Sequence, residues 1–214
     1  MADTLNLQGK VAIVTGSGRE NGIGAGIARA LARNGAWVTV NYVSDSTKHR
    51  AENVCKLLRE AGGKAIAVQA SVDTIEGAQL LVNKTLEGFG VDHIDILGKK
   101  PQLATSYVQL TSYTIVNNAG IAHFCPITQE PNVEELTKTF QLNVLGAFYM
   151  VHYTIAYMPP GGRIVNVSST NSKRGSGHIS TYAASKAALD SLTWSWAGEV
   201  RLRHYYQLST CLSS

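Results

Sequence analysis

The sequence has no continuous apolar stretch approaching the ~20 residues that a transmembrane helix requires. Residues 1–4 have neither the basic region nor the apolar run of a secretory signal peptide, so we expect a cytoplasmic protein with no membrane partner. The three cysteines, Cys55, Cys125 and Cys211, are an odd number without Cys-x-x-Cys spacing. Such cysteines argue against a disulfide framework or a thiolate zinc site and favour reduced thiols.

Metal-ligand spacing and a localised basic surface are also missing. The six histidines show no His-x-His or His-x-x-x-His spacing, so we expect no metal site. The formal net charge is +4, from 19 basic and 15 acidic residues, but Lys99, Lys100, Arg201 and Arg203 lie in segments 98–114 and 200–214, which contain no acidic residue. The remaining 15 basic residues balance the 15 acidic ones, so the charge does not indicate a nucleic-acid partner.

The chain length and the hydrophobic pattern predict one α/β domain. With 214 residues, 44% of them apolar, the chain can build one domain with a buried core but not two, and no repeat or linker divides it. Short β-branched runs such as Lys10–Thr15 alternate with amphipathic helical patterns, such as Ile23, Ile27 and Leu31 at i, i+4 and i+8. This alternation predicts a Rossmann-type, doubly wound parallel sheet in three αβα layers over residues 1–214.

A glycine-rich loop, Thr15–Gly24, joins the first predicted strand to the first predicted helix. Its glycines allow a tight turn and a close approach to a pyrophosphate, while the helix N-terminus provides free N–H groups and a positive dipole end. A merely flexible loop is the alternative, but the strand-loop-helix context favours dinucleotide binding.

The end of the second predicted strand favours NADP(H) over NAD(H). An NAD-type site would have a carboxylate there, whereas this chain has Asn41, Tyr42 and then Ser44. A carboxylate would repel a 2′-phosphate, while amide, hydroxyl and backbone donors accept it. Arg19, in the glycine loop, can add positive charge, with a solvated loop cation as the alternative interpretation.

A second group of residues points to proton transfer. Tyr182 and Lys186 lie at i and i+4, so they share one helical face. A nearby ammonium favours the phenolate and lowers the tyrosine pKa from about 10 towards the range of a general acid/base. Thirteen residues before Tyr182, Ser169 follows the C-terminal end of the predicted strand Arg163–Val167. Ser169 has no matched catalytic histidine, which argues against a hydrolase.

These motifs together resemble the classical short-chain dehydrogenase/reductase family. The resemblance covers about residues 8–97 and 115–199 and rests on Thr15–Gly24, Asn117–Gly120, Asn143, Ser169 and the Tyr182/Lys186 pair. It implies hydride transfer between NADP(H) and a ketone, aldehyde or alcohol of small size, with Tyr182 as general acid/base.

The same resemblance implies roles for the individual site residues. Ser169 would hold the substrate oxygen, Lys186 would bind the nicotinamide ribose and lower the pKa of Tyr182, and Asn143 would anchor a relay water. The implied cofactor contacts are Gly16, Arg19, Gly22, Ile23, Gly24, Asn41, Ser71, Asn118, Ala119, Gly120, Tyr182 and Lys186.

The chain departs from the family pattern in one of these residues and in the spacing of the glycine loop. Ser71 replaces the usual adenine-contacting aspartate, and five residues separate Gly16 from Gly22 where the family has three. We therefore expect a longer loop over the phosphates. The Asn41-Tyr42 pair is similar to that of reductases of polyketide-type or aromatic ketones and of sugar dehydrogenases, so secondary metabolism is one context that we consider.

Segments 98–114 and 200–214 interrupt the resemblance. The first separates Asp95–Leu97 from Val116–Asn117, which would otherwise form one continuous strand, and both begin with residues that a splice-donor-like GTAAG can encode. We hypothesise two retained introns, with a genuinely divergent protein as the alternative. This hypothesis predicts a foreign insertion, a non-family tail and a sheet that is incomplete at its C-terminal edge. The two functions left open are an active enzyme, homo-oligomeric if intact, and an inert or merely cofactor-binding product.

Overall fold

The computed structural model describes residues 7–92, 94, 115–158, 162–201 and 207–213, with only the backbone for 200, 201 and 207–213. The strands are β1 (Val11–Val14), β2 (Trp37–Tyr42), β3 (Lys64–Gln69), β4 (Ile115–Asn117), β5 (Arg163–Ser169) and β6 (Gln207–Ser213). The helices are α1 (Ile23–Arg33), α2 (Lys48–Glu60), α3 (Ile75–Phe89), α4 (Val133–Phe140), α5 (Ala147–Ile155), α6 (Asn171–Arg174) and α7 (Ser180–Arg201). A 3₁₀ turn, Asp45–Thr47, precedes α2, and a π-helical segment, Gln141–Gly146, joins α4 to α5.

The strands form one parallel sheet in the order β3-β2-β1-β4-β5-β6. The chain runs outward from β1 to β3, returns to β4 and continues outward to β6. The direction of winding thus reverses between β1 and β4, and open sheets of this kind bind ligands at the carboxyl ends of the strands beside that reversal. The predicted Rossmann-type, doubly wound α/β fold is confirmed.

The core has two apolar layers, one on each face of the sheet. Successive side chains of β1 point alternately into the two layers. Val11 and Ile13 belong to the cluster that includes buried residues of α3 and α5. Ala12 and Val14 belong to the opposite cluster, which includes residues of α1 and α2. All four are at most 1% exposed, and each large one contributes about 1.5–3 kcal/mol relative to an exposed side chain.

Helix ends follow the signals in the sequence. The Thr74 hydroxyl accepts a hydrogen bond from the Gly77 N–H (3.1 Å) at the start of α3. Gly90 ends the same helix with φ +65°, a conformation that favours glycine. At the end of α1, Gly35 has φ +90°, and a Cβ there would lie 2.5 Å from the Gln8 side-chain oxygen.

The C-terminal tail departs from the prediction. Residues 200–214 were expected to add no strand, yet β6 pairs in parallel with β5, with Leu208 beside Ile164 and Leu212 beside Ser168. The prediction that this tail adds no strand is therefore wrong. Leu208 and Leu212 are four residues apart in the sequence, a spacing compatible with a strand, but two residues are too few to predict one. Segment 98–114 lies outside the described residues, so the predicted insertion stays a prediction.

Among the described residues, no helix combines the length and apolar composition needed to cross a bilayer. Cys55 and Cys125 are free thiols, and burial raises the pKa of the Cys55 thiol to about 12.

Candidate active site

Four of the predicted site residues lie close together at the carboxyl ends of β4 and β5. Ser169 is the last residue of β5, Tyr182 and Lys186 are on the first turns of α7, and Asn143 lies in the π-helical segment. Bulges of this helical type recur at functional sites, and the sequence pattern did not predict one.

The Lys186 side chain is buried and faces Tyr182. It is 3% exposed, its Nζ donates to the Val167 carbonyl oxygen (2.8 Å), and the Nζ lies 5.8 Å from the centre of the Tyr182 ring. Burial lowers the pKa of the Lys186 ammonium to about 8, against the opposing attraction of Asp190. The group is therefore mainly an ammonium below about pH 8 and loses that charge as the pH rises further.

Asn143 fastens the segment after β4 to α7. Its Oδ1 accepts from the Ile121 N–H (2.9 Å), and its Nδ2 donates to the Ile121 carbonyl (2.9 Å) and to the Ser185 hydroxyl (3.0 Å). A Cβ on Gly120 would lie 3.1 Å from Asn143 Oδ1 and 3.3 Å from Lys186 Nζ. The absence of a side chain at Gly120 thus lets these two polar groups approach the backbone.

Ser169 presents a nearly buried hydroxyl. It is 5% exposed, and its Oγ accepts from the Asn171 N–H (3.2 Å). A hydroxyl that accepts one hydrogen bond still has a hydrogen to donate. The Ser169 hydroxyl can therefore donate a hydrogen bond to a ligand oxygen at the carboxyl end of β5.

Thr15 and Asn118 connect β1 to the end of β4. The Thr15 hydroxyl accepts from the Asn118 and Ala119 N–H groups, both at 3.0 Å. The Asn118 Nδ2 donates to the Thr15 and Gly16 carbonyls, at 3.0 and 3.1 Å. The predicted cofactor-side residues, Asn118 to Gly120, thus lie beside the start of the glycine loop.

Two glycines of the loop are required by close approach. Gly16 has φ +61°, and a Cβ there would lie 2.9 Å from the Ala119 Cα, while a Cβ on Gly24 would lie 2.6 Å from Asn118 Nδ2. Gly22 is the N-cap of α1 and provides no side-chain cap, the first turn contains no acidic residue, and Ile23 is 56% exposed. The open, uncapped helix end and the narrow glycine turn fit a pyrophosphate.

Asn41, which is predicted to contact the cofactor, uses its side-chain amide in hydrogen bonds with the protein. The residue is 1% exposed, its Oδ1 accepts from the Gly16 N–H (3.1 Å), and its Nδ2 donates to the Ala70 carbonyl (2.9 Å). Both ends of the amide are therefore engaged by the protein. Asn41 holds the glycine loop in place, and Ser44, after the end of β2, is exposed, with its hydroxyl accepting a hydrogen bond from the Ser46 N–H.

The longer glycine loop is fastened at Glu20. Its carboxylate lies 2.9 Å from the Arg50 Nε of α2 and 3.5 Å from the Asn53 Nδ2, and its carbonyl accepts from Arg29 of α1 (2.5 Å). The hydrogen bond from Arg50 is the main cause that lowers the Glu20 pKa. Arg19 is exposed beside this contact, and sequence reasoning missed the whole arrangement.

Ser71 has an acidic neighbour that the sequence analysis overlooked. Its hydroxyl donates to the Asp73 Oδ1 (2.5 Å), and the Asp73 carbonyl accepts from Gln141 (2.5 Å) in the π-helical segment. A carboxylate is thus present beside the position where the family has its aspartate, displaced by two residues along the chain.

A buried polar chain crosses the sheet beneath the site. Asn117 Nδ2 donates to Asn166 Oδ1 (2.8 Å), and Asn166 Nδ2 donates to the Thr193 hydroxyl (2.8 Å). This series of hydrogen bonds links β4, β5 and α7. Within the ranges that the structure describes, no group of three or more His, Cys, Asp or Glu residues is arranged to hold a metal ion.

Known proteins resemble this chain in sequence and in fold. The family model described as short chain dehydrogenase matches residues 10–204. The chain is 36% identical over 204 residues to short-chain dehydrogenase/reductase FrzI of Cladobotryum sp, covering 95% of this chain and 69% of that protein. It is 34% identical over 189 residues to hydroxynaphthalene reductase arp2 of Aspergillus fumigatus, covering 88% of this chain and 60% of that protein.

Solved structures agree with these relatives. A short-chain dehydrogenase from Burkholderia cenocepacia in complex with NADP has a TM-score of 0.79 at 30% identity, covering 96% of this chain and 74% of that one. A blue fluorescent protein from a metagenomic library, in complex with NADPH, has a TM-score of 0.76 at 34% identity, covering 92% and 71%. The sheet, the glycine loop and the Tyr-Lys helix are those of a dinucleotide-dependent oxidoreductase fold. The chain belongs to the short-chain dehydrogenase/reductase family.

Proposed function

We propose that this chain is an NADP(H)-dependent oxidoreductase that interconverts a ketone or aldehyde and the corresponding alcohol. The observation that carries the proposal is the buried Lys186 ammonium beside the Tyr182 ring, with the Ser169 hydroxyl at the adjoining strand end. A cation near a phenol favours its ionised form, as proton exchange near neutral pH requires.

The cofactor assignment is supported by the cradle and by related structures. The narrow turns at Gly16 and Gly24 and the uncapped start of α1 fit a pyrophosphate. Ser44 and Arg19 are exposed near the second strand and the loop, where a 2′-phosphate needs donors and positive charge. Similar solved structures hold NADP or NADPH. The bound cofactor supplies or accepts the hydride.

Each protein residue then has one task in carbonyl reduction. Ser169 donates a hydrogen bond to the substrate oxygen and orients the carbonyl. Tyr182 transfers its phenolic proton to that oxygen as negative charge develops there, and Lys186 stabilises the resulting phenolate. Asn143 fixes the segment after β4 against α7, and its further task of anchoring a relay water is part of the proposal. Oxidation of the alcohol runs through the same groups in reverse.

The substrate class is proposed from relatives and from the exposed loop after β4. One relative is named a hydroxynaphthalene reductase, and Phe124, 71% exposed, lies beside His178 with tilted rings whose centres are 5.0 Å apart. His178 lies in the segment just before α7, the helix that carries Tyr182, so this aromatic pair is the one that we propose to contact an aromatic substrate. An aromatic ketone is the substrate that we propose to test first.

The expected homo-oligomer stays a prediction. A hollow of about 610 Å³ lies between α4, the π-helical segment and the start of α7. Its lining includes Leu136, Phe140 and Leu145, and this apolar face has the composition suited to packing against a second copy. Likewise, we propose that residues 1–214 constitute one cofactor-binding domain.

Exchange of Tyr182 tests the proposed function. Tyr182→Phe deletes the phenolic hydroxyl and little packing, so turnover of an aromatic ketone with NADPH should fall by roughly 10²–10⁴-fold. NADPH binding, measured by the change in cofactor fluorescence, should stay within about twofold of the unchanged protein. Lys186→Ala should lower turnover and also weaken NADPH binding. Lys186 is expected to contact the nicotinamide ribose as well as Tyr182.

The controls separate an enzyme from a protein that only binds the cofactor. Tyr153→Phe removes a phenol from α5, outside the site, and should leave turnover unchanged. If Tyr182→Phe kept more than about a tenth of the original rate, the proton-transfer role would be wrong. Unchanged protein that binds NADPH but reduces no carbonyl would favour the merely cofactor-binding alternative.

A further inference from the structure

A buried carboxylate lies one helical turn beyond Lys186. Asp190, also on α7, is 3% exposed. Its Oδ2 accepts from the Ser172 hydroxyl (2.6 Å) and pairs with the Lys173 Nζ (3.0 Å), and both partners belong to α6. Carboxylates are rarely buried unless they are paired, so this position has a specific structural requirement.

The partners of Asp190 connect it to Ser169. The Ser172 hydroxyl lies 2.7 Å from the Ser169 carbonyl oxygen as well as 2.6 Å from Asp190, and its one hydrogen serves one acceptor at a time. The Ser168 hydroxyl lies 3.3 Å from the Lys186 carbonyl oxygen and also interacts with the Asp190 carboxylate, so its one hydrogen serves one of these two acceptors at a time. The short α6 therefore joins the end of β5, which carries Ser169, to the helix that carries Tyr182 and Lys186.

The charge of Asp190 also acts on Lys186. Burial tends to raise the pKa of the Asp190 carboxyl, but hydrogen bonds from Ser172, Ser168 and Lys173 and the charge of Lys173 outweigh it, so the pKa is lowered overall. The carboxylate persists at neutral pH. Its attraction raises the pKa of Lys186 and partly opposes the effect of burial.

The polar and charged groups around the Lys186 ammonium show which of them acts on its pKa. From α7 these are Tyr182 and Asp190, and β5 contributes the Val167 carbonyl. The Gly120 backbone lies against the ammonium from the segment after β4. Lys173 of α6 lies on the far side of Asp190. Among these described neighbours, Asp190 is the permanent negative charge at neutral pH.

We propose that Asp190 is a positioning residue of the active site, which fixes the segment carrying Ser169 to α7 and provides the negative charge that keeps Lys186 an ammonium. This inference rests on the proposed function, since it concerns the state of Lys186 when the cofactor and substrate are handled. Asp190 itself need not touch either of them.

The test is the pH dependence of NADPH binding in Asp190→Asn. This change removes the charge but keeps an acceptor for Ser172. Without the carboxylate, Lys186 loses its proton at lower pH, so a ribose contact through the ammonium fails earlier. The ratio of the NADPH Kd at pH 8.5 to that at pH 6.5, measured by cofactor fluorescence, should rise by about three- to tenfold over the unchanged protein, because one pKa unit changes the ammonium fraction tenfold.

Two matched variants distinguish charge from structure. Asp190→Glu restores the charge and should return the ratio towards its original value. Lys173→Gln removes the exposed partner of the ion pair but leaves the carboxylate, so it should leave the ratio unchanged or lower it. Thermal unfolding of each variant at both pH values shows whether it is folded when the Kd is measured.

The outcomes are separable. An Asp190→Asn variant that is folded and weakens NADPH binding equally at both pH values would overturn the electrostatic part of the proposal. The same would follow if Lys173→Gln raised the ratio as Asp190→Asn does. If the unchanged protein failed to bind NADPH at either pH, the proposed function would be wrong, and this result differs from every outcome for Asp190.

Discussion

Asn41 shows how buried hydrogen bonds define the role of a single residue. In the sequence, this amide lies where an NAD-type site has a carboxylate, so Asn41 is predicted to contact the cofactor and an aspartate at this position would be expected to favour NAD(H). The structure instead engages both ends of the amide, with Gly16 and Ala70 as partners. An aspartate there could still accept from the Gly16 N–H, but it could not donate to the Ala70 carbonyl.

We therefore expect Asn41→Asp to destabilise the protein rather than to switch its cofactor. An unpaired buried carbonyl facing a buried carboxylate should cost about 1–3 kcal/mol or more, which lowers Tm by several degrees for a chain of this size. NADPH and NADH binding should weaken together. Thermal unfolding and titration with both cofactors measure these effects.

Ser44→Asp is the matched control because Ser44 is exposed at the same strand end. It should leave Tm nearly unchanged and weaken NADPH binding more than NADH binding, since only NADPH carries the 2′-phosphate. An Asn41→Asp variant with unchanged Tm and a preference for NADH would restore the role first predicted from the sequence.

Contacts between residues one helical turn apart could be predicted from the sequence. Contacts between residues that only the folding of the chain brings together could not. Tyr182 and Lys186 lie at helical spacing, so their common face was visible without a structure. Asp190 and Ser172 are 18 residues apart and meet only because α6 folds back onto α7. No local pattern indicates such a contact, and the same holds for the anchoring of Glu20 by Arg50.

At the scale of elements, the glycine loop is longer than the family pattern and is held by helices on two sides. Glu20 contributes a carboxylate to the surface where a 2′-phosphate is expected, and Arg50 neutralises it. Glu20→Gln should leave Arg50 free to attract the phosphate, so the NADPH Kd should fall by roughly two- to fivefold, the size of a screened surface interaction. The NADH Kd should change less.

The control for this loop is an ion pair of the same kind on α3. The Lys84 Nζ lies 2.7 Å from the Glu87 Oε2 on the helix surface. Glu87→Gln should change neither the NADPH Kd nor the NADH Kd. Both variants should be titrated at low and at high salt, because the gain from Glu20→Gln should shrink as salt screens the charges. Weaker NADPH binding by Glu20→Gln would instead show that the anchored loop conformation matters more than the charge.

The predicted elements succeeded where local pattern and packing agree. β1, β2, β3 and β5 correspond to β-branched runs buried in the sheet, and α1 contains Ile23, Ile27 and Leu31 at the helical spacing that predicted it. The π-helical segment was not predicted, because one extra residue in a turn leaves the hydrophobic pattern nearly unchanged. β6 was not predicted because its segment shows no clear hydrophobic period and lies beyond the resemblance to the family.

At the scale of the whole molecule, the decisive feature is the short central strand β4, which segment 98–114 precedes in the sequence. β4 begins at Ile115, immediately after this segment, and pairs with β1 at Ile13 and Val14. In the sequence, joining Asp95–Leu97 directly to Ile115 would give one β-branched run, Asp-Ile-Leu-Ile-Val-Asn, long enough to lie beside all of β1. A parallel sheet is most stable when its central strands are matched in length.

Deleting residues 98–114 should therefore stabilise the protein. A longer β4 would gain ladder hydrogen bonds beside Val11 and Ala12, each worth about 0.5–1.5 kcal/mol, and a shorter chain loses less entropy on folding. We expect Tm to rise by several degrees. As control, a glycine-serine segment of equal length in place of 98–114 should not raise Tm, because it keeps the two halves of the strand apart. A fall in Tm on deletion, with the glycine-serine variant falling as well, would mean that 98–114 contributes contacts of its own and is an integral part of the fold rather than an insertion.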